Sequence, residues 1–191
     1  RQAGRNYQPP KLRLFDGRTP TGCGTGDANA GPFYCPADQR VYIDLSFFQM
    51  LERRFQAPGD FAQAYVIAHE VGHHVQNLIG IMDKMQQARA RLSERQNNAL
   101  SVRLELQADC FAGIWAHHSE RAKGWLERGD IDEALRAATA IGDDTLQRQS
   151  QGVVVPDAFT HGSAQQRKHW FQVGLTQGTL RACDTFAQTS P

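Results

Sequence analysis

The 191-residue sequence lacks a long hydrophobic run and lacks an excess of charge of either sign. Its longest uninterrupted apolar run, residues 64–68, falls far short of the roughly 18 apolar residues of a membrane-spanning helix. Lysine and arginine number 21 and aspartate and glutamate number 20, so the formal net charge is +1. A protein that binds nucleic acid irrespective of its sequence carries a clear basic excess. We therefore expect neither a membrane span within this chain nor a nucleic-acid partner.

Cysteine is scarce, and no CxxC pair occurs among the four cysteines. This absence argues against a zinc ribbon and against a thioredoxin-like redox motif. An even count suits two disulfides. Cys23 and Cys35, 12 residues apart in a glycine-rich loop, would close that loop and leave Cys110 to pair with Cys183. Disulfides would indicate an oxidising compartment, whereas the alternative is four free thiols in a cytosolic protein.

The composition suits one folded domain, because 40% of the residues are hydrophobic and the length is that of a single domain. Residues 1–35, rich in glycine, are predicted to be irregular apart from one short strand over residues 11–15. Aromatic and β-branched residues on either side of a Pro/Asp turn predict a β-hairpin over residues 33–35 and 40–44.

The rest of the chain has the pattern of helices. Ser46 is predicted to cap a first helix, and Asp60 with Gln63 forms a capping-box pattern at the start of the second. The apolar stripe of the second helix recurs about every 3.6 residues as far as Ile79. Further helices are predicted over residues 82–98, 99–120, 130–149 and 163–176, the last capped by Ser163 with Gln166. We therefore predict an α+β fold, mainly helical, with a small N-terminal β-hairpin or sheet beside the second helix.

That second helix carries an HExxH motif, which begins at His69 and ends at His73. The two histidines are one helical turn apart, so both imidazoles project from one face and can bind one Zn²⁺. Glu70 points about 100° away from His69 around the helix and is suited to act as a general base rather than a ligand. HExxH also occurs by chance, and its place in an amphipathic helix is what favours a metal site. Gly72 weakens the helix, which makes sense if another backbone or the metal site approaches closely there.

Two histidines leave a catalytic zinc one protein ligand short. Glu105 and Asp109 are also one turn apart, on a predicted helix otherwise rich in apolar residues. Two carboxylates on a mostly buried face are unfavourable unless they are paired or coordinate a cation. We predict that Glu105 is the third ligand and that Asp109 accepts the outer N–H of a liganding histidine. The alternative is two exposed acids that pair with Arg103 or with other cations.

With these residues identified, the sequence resembles a known family. HExxH followed by ExxxD on a second helix is the gluzincin arrangement, and residues 64–76 and 103–116 resemble the bacterial neutral zinc metallopeptidases. The resemblance continues through residues 15–17, 31–38, 142–144 and 155–162, and so covers nearly the whole chain. No matching position departs from the family pattern.

The resemblance implies that residues 1–191 form one zinc metallopeptidase domain, with a catalytic core over residues 36–191. Members of the family typically carry one N-terminal membrane helix ahead of this domain. We therefore expect an ectodomain at the bacterial envelope, in the periplasm or on the cell surface, with a membrane anchor outside this chain. Paired cysteines favour the same compartment.

Two further features are predicted to serve a substrate. The strand over residues 40–44 is the candidate edge strand for an extended peptide, and the alternative is a purely structural hairpin. His161 and the following Arg167 resemble a His-Pro segment followed by arginine in some membrane-linked gluzincins, although Gly162 stands where that proline would be. We predict that His161 donates to the transition-state oxyanion, and the alternative is a histidine that anchors its loop.

The remaining aromatic and histidine residues are assigned structural roles. His74 is expected to face away from the metal pair, at the surface or between helices. The three tryptophans, Trp115, Trp125 and Trp170, are expected in the core rather than on a ligand platform.

The leading functional hypothesis is a zinc endopeptidase that binds Zn²⁺ through His69, His73 and Glu105. Glu70 would take the proton of the attacking water and pass it to the leaving amine of a protein or peptide substrate. The alternative is a zinc-stabilised binding or chaperone-like module at the envelope, with latent or no proteolysis. The presence of Glu70 beside all three ligands favours the enzyme.

Overall fold

The computed structural model describes residues 7–27, 31–55, 59–142 and 154–187. The strands are β1 (Lys11–Phe15), β2 (Arg18–Thr21), β3 (Gly24–Asp27), β4 (Phe33–Cys35) and β5 (Arg40–Asp44). The helices are α1 (Leu45–Phe55), α2 (Asp60–Leu78), α3 (Ile81–Arg89), α4 (Glu94–Lys123), α5 (Asp130–Ala140) and α6 (Ala164–Gln177). Short 3₁₀ turns lie at Pro156–Ala158 and Leu180–Cys183. The predicted mainly helical α+β fold is confirmed.

The sheet next to α2 has the strand order β1-β5-β4, with β1 parallel and β4 antiparallel to β5. The predicted hairpin of residues 33–35 and 40–44 is therefore confirmed. Val41 and Ile43 of β5 pack against Val71 of α2, which positions the sheet on the HExxH helix. The prediction that residues 40–44 offer an open edge to a substrate is wrong, because β1 and β4 pair with both edges of β5.

A second antiparallel hairpin, formed by β2 and β3, lies in the region predicted to be irregular. The one strand predicted there, β1, is confirmed, but the prediction is wrong for residues 18–27. Arg18 pairs with Asp27 across the hairpin, with 2.9 Å between Nε and Oδ2. Gly26 leaves room for the Phe33 ring, because a Cβ at this position would lie 2.6 Å from Phe33 Cζ. Glycine has a low strand propensity, so the glycine-rich composition of this region did not predict a hairpin.

Helix α1 is capped by Asp44 and not by Ser46 as predicted. Asp44 Oδ1 accepts from the Ser46 backbone N–H at 2.7 Å, and Oδ2 accepts from the Gly17 N–H at 2.8 Å. Asp44 is fully buried. The hydrogen bond from the Ser46 hydroxyl, with those from the two N–H groups, holds the pKa of Asp44 below its usual value. One ionised carboxylate thus joins the turn after β1 to the start of α1.

Other helix boundaries also differ from the prediction. Helix α2 begins after Gly59 without a side-chain cap, so the capping box predicted at Asp60 is not formed. The helix predicted over residues 82–98 is interrupted, because Ser93 forms a capping box with Gln96 and starts the 30-residue α4 there. The capping box predicted for the last helix is confirmed in α6. The helix predicted over residues 130–149 corresponds to α5, and its predicted end lies outside the described residues. Residues 143–144 of the family pattern also lie outside them.

Helices α2, α4 and α6 approach one another backbone to backbone at glycines. A Cβ on Gly72 would lie 3.0 Å from the Ala108 carbonyl oxygen, so α2 and α4 cross closely there, as the residue type suggested. A Cβ on Gly113 of α4 would overlap the Phe171 carbonyl oxygen, and one on Gly174 of α6 would overlap that of Cys110. These contacts determine how closely α4 lies to its two neighbours.

Both disulfides have the predicted pairing. Cys23–Cys35 connects the β2–β3 hairpin to β4, and Cys110–Cys183 connects α4 to the C-terminal 3₁₀ turn. The two disulfides are consistent with an extracytoplasmic location.

Within the described ranges, no helix combines the length and the apolar character needed to cross a membrane.

The prediction of three core tryptophans holds for Trp170 alone, which is 1% exposed. Trp115 is 37% exposed and stacks on Phe61. Trp125 is 59% exposed, and its ring lies beneath the Lys123 ammonium. Trp115 lies in the C-terminal half of α4 and Trp125 lies just after its end, and neither is enclosed by packing.

Substitution of Gly174 by alanine tests the close contact of α4 and α6. The new methyl group would force the two backbones apart, so we expect the free energy of unfolding to fall by about 1–3 kcal/mol or more. Gln172→Ala, at an exposed position of the same helix, is the control and should change stability little. Denaturant titration of both variants measures the difference, and equal stabilities would contradict this account of the helix contact.

Candidate metal centre

Three side chains from two helices meet at the crossing of α2 and α4. His69 and His73 project from α2 and Glu105 projects from α4. Glu105 Oε2 lies 3.1 Å from His69 Nε2 and 3.4 Å from His73 Nε2. One donor atom from each of the three residues lies within 4.8 Å of the other two. The structure thus brings together the three residues that the sequence predicted as ligands.

The donor set and its spacing fit a zinc ion. Imidazole nitrogens and a carboxylate oxygen are donors that Zn²⁺ accepts in catalytic sites. Metal–ligand bonds of about 2.0–2.1 Å in a tetrahedron separate the donor atoms by about 3.3–3.4 Å. The observed separations of 3.1 and 3.4 Å from the Glu105 oxygen agree with that value. All three side chains are largely buried, and a bound cation would balance the charge of the Glu105 carboxylate there.

His69 is oriented by Asp109, one turn beyond Glu105 on α4. Its Nδ1 donates to Asp109 Oδ1 at 2.8 Å, which directs Nε2 toward Glu105. Burial lowers the pKa of His69, but the Asp109 charge and the hydrogen bonds to Asp109 and Glu105 outweigh it and raise the pKa to about 10. Asp109 thus occupies the place predicted for it beside a histidine.

Arg167 of α6 neutralises Asp109. Its Nε lies 2.9 Å from Asp109 Oδ2 and its Nη2 lies 3.0 Å from Oδ1, and both residues are buried. The Tyr65 hydroxyl also donates to Asp109 Oδ1, at 2.5 Å. Burial raises the pKa of Asp109, yet the charges of Arg167 and His69 prevail and lower it to about 2. The carboxylate is therefore ionised and held from three sides.

Sequence reasoning did not assign roles to Arg167 and Tyr65. A signal for Arg167 was present, because it shares the buried stripe of α6 with Ala164, Trp170, Phe171 and Gly174. A lone cation in an apolar stripe requires a buried anion as partner. Arg103, which had been the alternative partner for the acids, donates instead to the Thr185 carbonyl oxygen at 2.8 Å.

His73 is oriented by uncharged groups. Its Nδ1 lies 2.9 Å from Gln76 Oε1, and Gln76 Nε2 donates to Gln107 Oε1 at 3.1 Å. Burial lowers the pKa of His73, whereas the Glu105 charge and hydrogen bond raise it further than burial lowers it. Conversely, the two histidines overcome the effect of burial and hold the pKa of Glu105 well below its usual value. Positive charge on the facing imidazoles thus stabilises the Glu105 carboxylate, and a bound metal dication would stabilise it in the same place.

Glu70 is a buried acid next to this cluster and is 7% exposed. Within the described part of the chain it takes no hydrogen bond, unlike Glu105 and Asp109. A carboxylate that is nearly enclosed and not used for structure is suited to proton transfer.

His161 lies outside the donor cluster of the described residues. Its side chain is exposed, and its Nδ1 lies 3.0 Å from Thr160 Oγ1. The next residue, Gly162, packs on α4, since a Cβ there would lie 3.1 Å from Leu106 Cδ2. The loop therefore rests on the helix that carries Glu105, at a point where His161 is exposed.

His74 makes its hydrogen bonds away from the metal pair, as expected, but it is fully buried and its partners lie on the strand region rather than at the surface or on another helix. Its Nε2 donates to the Gln8 carbonyl oxygen at 2.7 Å, and its Nδ1 accepts from the Tyr34 hydroxyl at 3.0 Å. Because those partners lie on the N-terminal segment and on β4, His74 joins the HExxH helix to the strand region.

Comparison with known families agrees with this site. The sequence profile of the family described as "Putative neutral zinc metallopeptidase" matches residues 1–186. The chain belongs to this family. No solved structure matches the chain.

The chain is shorter than the curated relatives that it matches. It is 58% identical over 186 residues to YpfJ of Escherichia coli K12, covering 97% of the chain and 64% of that protein. It is 46% identical over 192 residues to Rv2575 of Mycobacterium tuberculosis H37Rv, covering 95% of the chain and 64% of that protein. Both relatives are described as uncharacterized. The chain therefore spans a little under two thirds of the length of the relatives it matches.

Substitution of Arg167 by methionine tests the ion pair. Asp109 would remain buried without its guanidinium partner, so we expect the free energy of unfolding of the metal-free protein to fall by about 3–5 kcal/mol. Denaturant titration measures the loss. Arg136→Met, at an exposed position of α5, serves as the control and should cost less than about 0.5 kcal/mol. A loss no larger than that of the control would show that Asp109 does not depend on Arg167.

Proposed function

We propose that the protein is a zinc-dependent peptidase. The observation that carries this proposal is the cluster of His69, His73 and Glu105, with Glu70 buried beside it and free of hydrogen bonds in the described chain. A structural zinc site is closed by four protein ligands, whereas a catalytic one keeps a position open. The cluster offers three donors, and membership of the family supports the same reading.

Zinc bound by these residues would lower the pKa of water toward 7 and polarise the carbonyl of the scissile bond. Glu70 then accepts the proton of the attacking water and donates it to the leaving amine. Asp109 holds the Nδ1 proton of His69, so the imidazole offers Nε2 to the metal. The charge of Arg167 keeps Asp109 ionised while Asp109 orients His69.

We propose that His161 assists from the loop that rests on α4. Its exposed side chain would turn toward the scissile carbonyl when a substrate is bound, and donate to the developing oxyanion. The competing role is anchoring of the loop, which rests on α4 at the neighbouring Gly162.

We also propose that the protein works at the bacterial envelope on protein or peptide substrates. The two disulfides support this location. A membrane anchor outside residues 1–191 is part of the same proposal.

The central test combines metal analysis with a peptide-library digest. Protein purified without added metal should contain about one zinc per chain, and His69→Ala, His73→Ala and Glu105→Ala should each reduce that content. Glu70→Gln should retain zinc and cut nothing, because only the proton acceptor is lost. Glu52→Gln, exposed on α1, is the control and should cut normally.

Turnover by Glu70→Gln would remove Glu70 from the mechanism. Zinc retained by Glu105→Ala but lost from Asp109→Ala would reverse the roles of the two acids. A wild-type protein that binds zinc and cleaves no peptide would instead be a zinc-stabilised binding or chaperone-like module.

His161→Ala separates the two roles of that residue. If His161 stabilises the oxyanion, zinc content and melting temperature stay unchanged and kcat falls on the order of 10²-fold with little change in KM. A lower melting temperature with unchanged turnover per folded molecule would show that it only anchors the loop. Loss of zinc would mean that His161 is itself a ligand.

A further inference from the structure

Two uncharged amide side chains are enclosed where α2 crosses α4. Gln76 of α2 is fully buried and Gln107 of α4 is 5% exposed. A buried amide destabilises the protein unless its oxygen and its NH₂ group both have partners. The partners of these two amides form one continuous chain of hydrogen bonds, and that chain ends on the imidazole of His73.

The Leu104 carbonyl determines which way Gln76 faces. The terminal atom of Gln76 that lies 2.7 Å from the Leu104 carbonyl oxygen must be the NH₂ group, because a carbonyl oxygen only accepts. The amide oxygen is thereby directed at His73 Nδ1, 2.9 Å away. An amide oxygen also only accepts, so Nδ1 of His73 must carry a proton.

Gln107 is directed in the same way by a second backbone carbonyl. Its Nε2 donates to the Cys183 carbonyl oxygen at 2.9 Å, which leaves Oε1 to accept from Gln76 Nε2 at 3.1 Å. The Cys183 carbonyl is itself held in place, because the disulfide to Cys110 attaches it to α4. Both NH₂ hydrogens of Gln76 are therefore engaged, and a flip of its amide would break three hydrogen bonds, including the one from His73.

We propose that Gln107 is a positioning residue that acts through Gln76 to lock His73 as the Nδ1-protonated tautomer. Locked in this way, His73 presents the Nε2 lone pair toward Glu105, 3.4 Å away, where a metal would bind. The inference rests on the proposed function, since it assigns the orientation of a zinc ligand. It extends that function to two residues that do not touch the metal.

The charge of the site explains why His73 has an amide partner while His69 has a carboxylate. Asp109 is balanced by Arg167, so the orientation of His69 adds no net charge. A bound dication would be balanced by Glu105 and Glu70. An acid in place of Gln76 would add a negative charge to the site, whereas a neutral amide orients the imidazole without adding charge.

Zinc affinity of Gln107→Met, measured by competition with a chelator, tests the proposal. Methionine fills a similar volume without hydrogen bonds. We expect Gln107→Met and Gln76→Met each to weaken zinc binding about 10- to 100-fold. Because the two residues act through one chain, the double variant should be no weaker than the weaker single variant. Gln63→Met, exposed on α2, is the matched control and should bind zinc as the wild type does.

A spectroscopic readout separates positioning from a general structural role. In the zinc-loaded wild type, nitrogen NMR of the imidazoles should show His73 bound through Nε2 with a slowly exchanging proton on Nδ1. In Gln107→Met that proton should exchange faster, while the Nδ1 proton of His69 stays unchanged. This measurement on the wild type needs no substitution, so it also serves if a variant fails to fold.

Wild-type zinc affinity in Gln107→Met, or His73 bound through Nδ1, would overturn the proposal and leave the peptidase proposal intact. Zinc binding without peptide cleavage would contradict the peptidase proposal, while the affinities would still test the role of Gln107. A wild-type protein without affinity for zinc would overturn both.

Discussion

The close crossing of α2 and α4 at Gly72 is the contact on which the site depends. A side chain at Gly72 would meet the backbone of Ala108, so a larger residue would push the helices apart. Glu105 lies one turn before Ala108 on the side of the histidines, and its oxygen reaches both Nε2 atoms only at this helix separation. The loss of helix propensity at Gly72 is offset by the assembly of a site that neither helix forms alone.

The supports of the two histidines come from different parts of the chain. Asp109 holds His69, and α6 contributes Arg167 as the balancing cation. The C-terminal turn supports His73 through Gln107 and Gln76. Because α4 touches both α6 and the C-terminal turn, it transmits both supports to the metal cluster. The close packing of α4 on α6 at Gly113 therefore serves the site as well as stability.

The local part of this arrangement could be predicted from the sequence. The spacing of four residues within HExxH and between Glu105 and Asp109 determines which side chains share a helical face, and the structure brings those residues together. The parts that could not be predicted depend on how distant elements meet. Arg167 is 58 residues from Asp109, and its pairing depends on the packing of α6 on α4.

The errors over the N-terminal region have a similar cause. Residues 40–44 have the pattern of a strand, but whether a strand lies at an edge is decided by its neighbours. The parallel pairing of β1 with β5 joins segments about 29 residues apart, and no local signal specifies it. The β2–β3 hairpin was missed because its glycines lower strand propensity, and one of them, Gly26, is needed to admit the Phe33 ring.

Zinc K-edge X-ray absorption of the zinc-loaded protein tests the central claim most directly. The account predicts a single zinc with two imidazole nitrogens and oxygen ligands at about 2.0–2.2 Å, and no sulfur. In Glu105→Ala the two imidazoles should remain, with a weaker affinity for the metal. A shell with three imidazoles, or one with sulfur at about 2.3 Å, would contradict the assignment of His69, His73 and Glu105 as the metal site.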